Sequence, residues 1–209
     1  LGDKILSVSC GVFGNRFREI AKRTGAEAVC LDFRMGEGCD PAKTADFIIS
    51  HPECRVLLLT HNETSTAVTN PIKDIISRLP EESRPIILLD GVSSVGAIEC
   101  CPEKWGVDGL AFASQKGLMT PPGLGFVWLS ERGQQYIADK NCPSYTYDLK
   151  LHYKSLLSAA PSNPFTPPVS LYFALDEALN EIFEKGLDSW FERHVRFSKA
   201  LAAGLSALG

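Results

Sequence analysis

Short apolar runs alternate with amphipathic stretches along most of the chain. The runs are rich in Val, Ile, Leu and Phe and carry few charges, which is typical of strands that are buried on both faces of a parallel sheet. The predicted strands are KILSVS at 4–9, AVCLDF at 28–33, RVLLLT at 55–60, PIILLD at 85–90, GLAFAS at 109–114 and GFVWLS at 125–130. Helical patterns lie between them, one ending at Thr24 and others opening at Pro41 and Pro71. The alternation predicts an α/β fold, a mostly parallel sheet with helices on both faces.

The pattern changes after Lys140. Five prolines follow, at Pro143, Pro161, Pro164, Pro167 and Pro168. They are expected to interrupt regular structure until about Ser170, so this stretch is predicted to be a long ordered connection or a docking segment. Two helices are predicted beyond it, over 170–185 and 187–208, with Gly186 as the stop between them.

Composition excludes several classes of protein. The 209 residues suit one large domain, and 44% hydrophobic with 22% charged residues is ordinary globular usage. Lys and Arg number 21 against 25 for Asp and Glu, a net charge of -4, so a nucleic-acid partner is not expected. The apolar runs are far shorter than the roughly 20 residues that span a bilayer, so no membrane partner is expected either.

Seven cysteines are present, an odd number with no CxxC pair. Such a pattern suits neither a disulfide framework nor a zinc site, and it predicts reduced thiols. The expected location is the cytoplasm, unless an organelle-targeting signal lies outside these residues.

The candidate chemistry lies just after the predicted strands. In a parallel sheet, ligands bind in the crevice at the carboxyl ends of the strands. Asp90 closes one apolar run at this edge, although an Asp before Gly and Ser is also ordinary turn or capping chemistry. Lys116 follows the next run, where partial desolvation would lower the pKa of its amine and make it nucleophilic.

Three segments carry a resemblance to a known family. DGVSSVG at 90–96, ASQKGLMTPPGLGF at 113–126 and FTPPVSLYFALDEAL at 165–179 occur in the order and spacing of the class V pyridoxal-phosphate-dependent aminotransferases. The chain resembles their alanine-glyoxylate and serine-pyruvate members over nearly its whole length. The resemblance implies the large domain of the aspartate aminotransferase-like fold, PLP fold type I, over residues 1–209.

The resemblance also implies roles for individual residues. Lys116 would carry pyridoxal 5'-phosphate as a Schiff base and then move the substrate proton as general base and acid. Asp90 would pair with the pyridine nitrogen, which keeps the ring electron-withdrawing. Gln115 would reach the phosphate, and Val92 would cover one face of the ring.

Two further cofactor contacts are implied nearer the start of the chain. Phe13, in GVFGNR, would stack on the cofactor ring, and Thr64, in THNETSTAV, would lie near its phenolic oxygen. Core packing for Phe13 and a Ser/Thr turn for Thr64 remain open alternatives. Ala67 stands where the family usually has glycine, so the backbone there is expected to differ.

The resemblance implies a homodimer as well. Asn163 and Thr166 would reach the phosphate of the other subunit, although family members often have tyrosine at position 163. No metal is expected, because His61 and Glu63 have no third ligand at suitable spacing.

Parts of the family pattern are absent from these residues. Members begin with an N-terminal arm and a Ser/Thr-x-His phosphate motif, and end with a small domain whose arginine binds the substrate carboxylate. We therefore expect a large-domain fragment truncated at both ends, in which 186–209 leads to the missing C-terminal domain. The fragment alone is expected to be inactive.

The predicted function is transfer of an amino group from a small amino acid, alanine or serine, to a 2-oxo acid such as glyoxylate or pyruvate. Two alternatives remain open, a pyridoxal-phosphate-dependent lyase of the cysteine desulfurase type and a noncatalytic dimerisation domain. Gln115 favours the aminotransferase, because desulfurases usually have a histidine before the lysine.

Overall fold

Six strands form the central sheet of the computed structural model, which describes residues 2–209. The described residues contain eight strands in all, the six of the central sheet and two of a small hairpin. They are β1 Lys4–Ser9, β2 Glu27–Asp32, β3 Val56–Thr60, β4 Asn62–Glu63, β5 Val68–Thr69, β6 Ile86–Asp90, β7 Gly109–Ala113 and β8 Gly125–Leu129. The sheet order is β2-β1-β3-β6-β7-β8, with β4 and β5 forming a separate antiparallel hairpin. Only β8 runs antiparallel to its neighbour in the main sheet. The predicted α/β fold with a mostly parallel sheet is confirmed.

Eight α-helices accompany the sheet within the described residues. They are α1 Val12–Arg23, α2 Pro41–Ile49, α3 Ile72–Ile76, α4 Pro102–Trp105, α5 Glu131–Ala138, α6 Leu149–Leu156, α7 Val169–Lys185 and α8 Leu187–Leu208. Asp40 begins α2 by accepting a hydrogen bond from the Lys43 amide, and Gly186, at φ 77°, separates α7 from α8 as predicted. In residues 2–209, no helix has both the length and the apolar character needed to cross a bilayer.

Helix α6 lies in the proline-rich stretch that was expected to lack regular elements, so that expectation is wrong there. Pro143 and Pro161 flank the helix rather than interrupt it, and the Asp148 carboxylate accepts a hydrogen bond from the Lys150 amide at its start. Local capping is therefore enough to form a short helix between the prolines.

The main core lies around the middle strands of the sheet. Its most deeply buried side chains include Leu6, Leu57, Leu59, Ile87 and Leu89. The expectation that every strand is buried on both faces is wrong at the edges, because nothing within residues 2–209 covers part of the face that β7 and β8 share. There Ala111 is exposed, and Val127 is 54% exposed.

A second, smaller core joins the C-terminal helices to the loop after β7. Leu118 from that loop is buried together with Ile182 of α7 and Trp190 of α8. Phe112 and Phe126 pack against this cluster with their rings stacked at 4.7 Å. The two long helices therefore support the segment that contains Lys116.

Candidate active site

The carboxyl ends of the parallel strands bring the predicted site residues to one edge of the sheet. Thr60 at the end of β3 is in register with Asp90 at the end of β6, and Asp90 is in register with Ala111 of β7. The loops that follow these strands contain Thr64, Val92 and Lys116. Phe13 follows β1 at the same edge.

Glu63 holds the start of α1 against the β4–β5 hairpin. Its buried carboxylate accepts hydrogen bonds from the amides of Phe13, at 3.1 Å, and Gly14, at 3.0 Å. It also accepts from the amide and the hydroxyl of Ser65. Gly11, the N-cap residue of α1, has no side chain to satisfy these amides, and the carboxylate also stabilises the positive end of the helix dipole.

The pKa of Glu63 is lowered by these contacts. Burial alone would raise it, but the hydrogen bonds from Ser65, Gly14 and Phe13 outweigh that effect. Glu63 therefore remains a carboxylate, and its position in the T-H-x-E run is explained by helix capping. Sequence reasoning missed this role because the amides it binds lie about fifty residues earlier in the chain.

Phe13 lies in the first turn of α1, half-buried and outside both buried clusters. Its position does not favour the alternative of simple core packing. The guanidinium of Arg16 lies 4.9 Å from the centre of its ring, a cation–π contact rather than an ion pair.

The hairpin is tied to the loop after β6. The Asn62 side chain donates to the Ser93 hydroxyl at 2.9 Å, and that hydroxyl donates to the Asn62 carbonyl at 2.9 Å. The His61 amide donates to the Asp90 carbonyl at 2.9 Å. These bonds hold the hairpin, with the exposed Thr64 at its turn, next to the loop that contains Val92.

The turn between β4 and β5 has unusual features for its sequence. Ala67 adopts φ 55°, the left-handed conformation that glycine takes most readily. The Thr66 hydroxyl is buried without a hydrogen-bond partner, and so is that of Thr60 at the end of β3.

Asp90 is half-buried, and one carboxylate oxygen accepts a hydrogen bond from the Val92 amide at 2.9 Å. This contact is the turn chemistry that the sequence allowed. Burial raises the pKa of Asp90, the Val92 amide opposes that rise, and the charge of Glu63 adds to it. Within residues 2–209 no hydrogen bond reaches the second oxygen, so it is available to a ligand.

The loop that carries Lys116 is closed at its base by Ser114. The Ser114 amide donates to the Leu124 carbonyl at 3.1 Å, and its hydroxyl donates to the Pro121 carbonyl at 2.8 Å. The Thr120 hydroxyl donates to the Ser114 carbonyl at 3.0 Å. Met119, at φ 57°, has a left-handed backbone within the loop, a strained conformation of the kind that occurs at functional sites.

Lys116 and Gln115 are both exposed at the tip of this loop. The expected partial desolvation of Lys116 is therefore wrong for the single chain. Leu118, two residues further on, is buried in the small core, whereas the lysine side chain is exposed.

Backbone contact joins the Lys116 loop to the Asp90 loop. A Cβ on Gly117 would lie 2.3 Å from the Val95 carbonyl oxygen, and a Cβ on Gly96 would lie 2.8 Å from the Gly117 carbonyl carbon. Gly96 also has φ +82°, so a side chain is disfavoured there twice over. The Trp190 indole donates to the Gly96 carbonyl at 2.8 Å and fixes this junction from α8.

Asn163 and Thr166 lie apart from the other predicted residues. Both are exposed, and their segment is anchored by Phe165, whose ring packs against those of Tyr145 and His152. Within residues 2–209 neither side chain makes a hydrogen bond to the Lys116 loop. The other six predicted residues, Phe13, Thr64, Asp90, Val92, Gln115 and Lys116, lie at or just after the carboxyl ends of β1, β3, β6 and β7.

His61 is buried against the edge of Trp105, with ring centres 5.2 Å apart, and burial lowers its pKa to about 4. In the part of the chain that the structure describes, no three His, Cys, Asp or Glu side chains are placed to hold a metal ion.

Comparison with known proteins shows the family and agrees with the observed fold. The family model described as "Aminotransferase class-V" matches residues 1–209. A soluble hydrogenase 42 kDa subunit of Anabaena cylindrica is 37% identical over 99% of the chain, and an L-aspartate–glyoxylate aminotransferase of Paracoccus denitrificans is 32% identical over 100%. The crystal structure of an alanine–glyoxylate aminotransferase from Nostoc sp. has a TM-score of 0.92 at 30% identity, over 100% of the chain.

The chain spans about half the length of these proteins. It covers 54% of the Anabaena protein, 53% of the Paracoccus protein and 55% of the Nostoc structure.

Replacing Glu63 with Gln should lower the free energy of unfolding by on the order of 2 kcal/mol at neutral pH, because a charged acceptor at a helix start is lost. The folded-state pKa of Glu63 is lowered, so its stabilisation exists above the unfolded pKa of about 4.3 and disappears as pH falls below it. Urea unfolding at neutral and acidic pH measures both effects.

Glu37→Gln is the matched control, since Glu37 is exposed and pairs only with Arg34 at 3.8 Å. It should change stability by less than about 0.5 kcal/mol. Equal losses for both variants, or a Glu63 effect that does not shrink in acid, would contradict the capping role.

Replacing Ala67 with Gly should stabilise the protein by about 0.5–1 kcal/mol, because the left-handed conformation is less strained for glycine. Ala203→Gly, at an exposed position of α8, should instead destabilise by up to about 1 kcal/mol. Denaturant unfolding of the two variants should move in opposite directions. A loss of stability for Ala67→Gly would show that the turn does not strain alanine.

Proposed function

Because the chain belongs to the class V aminotransferase family, we propose that it forms the pyridoxal-phosphate-binding half of a transaminase. The proposed reaction moves an amino group from a small amino acid to a 2-oxo acid. The whole protein's activity is inferred, since the residues described here correspond to about half of each relative.

The contact between the Asp90 loop and the Lys116 loop is the observation that carries the proposal. Gly96 and Gly117 meet backbone to backbone, so the two loops cannot move apart without breaking a packed junction. A carboxylate and an amine are thus presented on neighbouring loops at the ligand-binding edge of a parallel sheet. This pair is the one that a pyridine-aldehyde cofactor requires.

The unsatisfied groups around Asp90 fit a polar aromatic ligand. Asp90 offers one carboxylate oxygen to a protonated ring nitrogen, and the buried hydroxyls of Thr60 and Thr66 lack partners. Phe13 and Val92 supply apolar surfaces for the two faces of a ring, and the exposed Thr64 can approach a phenolic oxygen from the hairpin. Gln115, next to the lysine, is placed to donate to a phosphate.

Pyridoxal phosphate, when bound, supplies an electron-withdrawing ring that makes the α-proton of an amino acid acidic. Lys116 holds the cofactor through its amine. Once the amine of the substrate has displaced it, the freed Nζ would accept the α-proton and return it at a different carbon, acting as general base and then general acid. Asp90 keeps the ring nitrogen protonated, and Ser114 and Trp190 hold the loops that position both groups.

We propose a homodimer in which Asn163 and Thr166 serve the site of the partner copy. Support comes from their exposure and from the absence, within residues 2–209, of any hydrogen bond between them and the Lys116 loop. The sheet face of β7 and β8 that contains Ala111 and Val127 is also partly open in one chain.

The proposed amino acceptor is glyoxylate or pyruvate, and the donor is alanine or serine. Glyoxylate appears in the names of both similar aminotransferases, whereas their donors, aspartate and alanine, differ. The proposed setting is the cytoplasm, in keeping with seven free thiols. Release of sulfide from cysteine, without amino transfer, would favour the desulfurase alternative instead.

Replacing Lys116 with Ala should abolish specific attachment of pyridoxal phosphate, because no other amine lies on this loop. The protein is incubated with pyridoxal phosphate, its visible spectrum is recorded, and borohydride reduction followed by peptide mapping locates the modified lysine. Lys199→Ala, which removes an exposed lysine of α8, should leave the spectrum and the map at Lys116 unchanged. A wild-type label spread over several lysines, or no visible band, would contradict the proposal that these residues hold the cofactor.

Replacing Asp90 with Asn should weaken pyridoxal phosphate binding roughly 10- to 100-fold, because a charge-assisted hydrogen bond to the ring nitrogen is lost. The pKa of Asp90 is raised by burial, so lowering the pH protonates it and weakens binding to the wild type more than to the variant. Absorbance titration at several pH values tests this. Asp176→Asn, at an exposed site of α7, should match the wild type, and identical pH profiles for wild type and Asp90→Asn would overturn the assignment.

A further inference from the structure

Two buried cysteines lie together at the edge of the candidate site. Cys10 follows β1 directly and is 2% exposed, while Cys39 precedes the N-cap of α2 and is 4% exposed. Both belong to the main buried cluster, although they are far apart in the sequence. Neither has a role in the proposed transfer of an amino group.

One asparagine side chain holds both cysteines in place. The Asn70 side-chain oxygen accepts a hydrogen bond from the Cys39 amide at 2.9 Å, and it lies 3.6 Å from the Cys10 sulfur. The Asn70 side-chain nitrogen donates to the Thr60 carbonyl at 2.8 Å and lies 3.4 Å from the Cys10 sulfur. Because the Cys39 amide and the Cys10 sulfur both contact the same Asn70 side-chain oxygen, the two cysteines lie side by side.

We propose that Cys10 and Cys39 are an oxidation site that hydrogen peroxide converts into a disulfide. Peroxide is little larger than water, so it suits a pair that bulky oxidants cannot reach. The other five cysteines of the chain do not share the Asn70 contact: Cys30 and Cys142 are exposed, Cys100 and Cys101 are partly exposed neighbours in sequence, and Cys54 is buried elsewhere in the core.

The reaction proceeds in two balanced steps. The Cys10 sulfur attacks one peroxide oxygen, the O–O bond breaks, and the departing hydroxide takes up the thiol proton as water, which leaves a sulfenic acid on Cys10. The Cys39 sulfur then attacks the Cys10 sulfur, the S–O bond breaks, and a second water leaves with the Cys39 proton. Two thiols have lost two electrons and two protons, and one peroxide has become two waters.

The surroundings of Cys10 favour it as the attacking thiol. A hydrogen bond with the Cys39 thiol lowers the pKa of Cys10 to about 7, helped by Asn70 and opposed by burial and by the charge of Glu63. The same contact raises the pKa of Cys39, with burial acting in the same direction. Cys10 is therefore partly ionised at neutral pH, and Cys39 remains protonated until the second step.

The disulfide would join the end of β1 to the segment before α2. Cys10 lies three residues before Phe13, so the cross-link would tighten the strand end from which α1 and its proposed cofactor-stacking ring begin. Closing a loop of this length should raise the unfolding midpoint by roughly 5–10 °C.

Peptide mapping of the whole protein tests the inference directly. Reduced protein is treated with hydrogen peroxide at neutral pH, quenched with catalase, blocked with N-ethylmaleimide in denaturant and digested with trypsin without reductant. The expected product joins peptide 5–16, which contains Cys10, to peptide 35–43, which contains Cys39. Dithiothreitol should separate the two peptides again.

Two variants sharpen the result. Cys39→Ser should lose the linked product and let dimedone capture the sulfenic acid on Cys10. Cys54→Ser, which removes another buried thiol, should keep the linked product. Far-UV circular dichroism checks that both variants fold, and the wild-type map stands without them.

Recovery of Cys10 and Cys39 as maleimide adducts, at peroxide concentrations that fully oxidise Cys30, would overturn the inference. So would a linked product in which either cysteine is joined to a different partner.

Discussion

The carboxylate of Glu63 is the contact on which the candidate site depends. It satisfies the first amides of α1 and the turn of the β4–β5 hairpin at the same time, so two segments about fifty residues apart become one rigid unit. Without it, α1 would begin with unpaired amides at a buried position, since Gly11 provides no cap. Phe13 and Thr64 owe their relative placement to this one buried charge.

The loops that follow β6 and β7 form a second rigid unit, which is held together by backbone contact rather than by a charged group. Gly96 and Gly117 approach so closely that neither tolerates a Cβ, and Trp190 seals the junction with a hydrogen bond from the distant helix α8. Asn62 and Ser93 connect this unit to the hairpin. The carboxylate of Asp90 and the amine of Lys116 are therefore positioned by residues that would contact no substrate, and the C-terminal helices contribute to the site without lining it.

Sequence patterns predicted what depends on neighbouring residues and missed what depends on distant ones. The strand at 4–9 and the helix opening at Pro41 were predicted with nearly the observed bounds, because local apolar periodicity and local capping determine them. The helix at 149–156 was missed because prolines obscured its cap. Capping by Glu63, support by Trp190 and exposure of Lys116 follow from tertiary packing, and no local pattern contains that information.

Polar groups at the two edges of the sheet, where the amino ends and the carboxyl ends of the strands lie, differ in how many hydrogen-bond partners they have. At the amino edge, the buried carboxylate of Asp108 accepts hydrogen bonds from the Ile87 amide, the Ser130 hydroxyl and the Arg132 guanidinium, so its charge is fully compensated. At the carboxyl edge, Asp90 has a single partner. Of the five buried side-chain atoms without a partner in residues 2–209, three belong to the segment 60–66 beside it.

Asp108 accepts hydrogen bonds from three residues, whereas Asp90 accepts one. The fold alone gives no structural reason for this difference. Unpaired buried hydroxyls such as those of Thr60 and Thr66 each destabilise a protein by roughly 1–3 kcal/mol, and such groups persist where a ligand completes them. The strained backbones of Ala67 and Met119 fall in loops at the same edge. Within residues 2–209, most of the unmet bonding capacity therefore lies at the carboxyl ends of the strands, which is the edge where ligands bind in a parallel sheet.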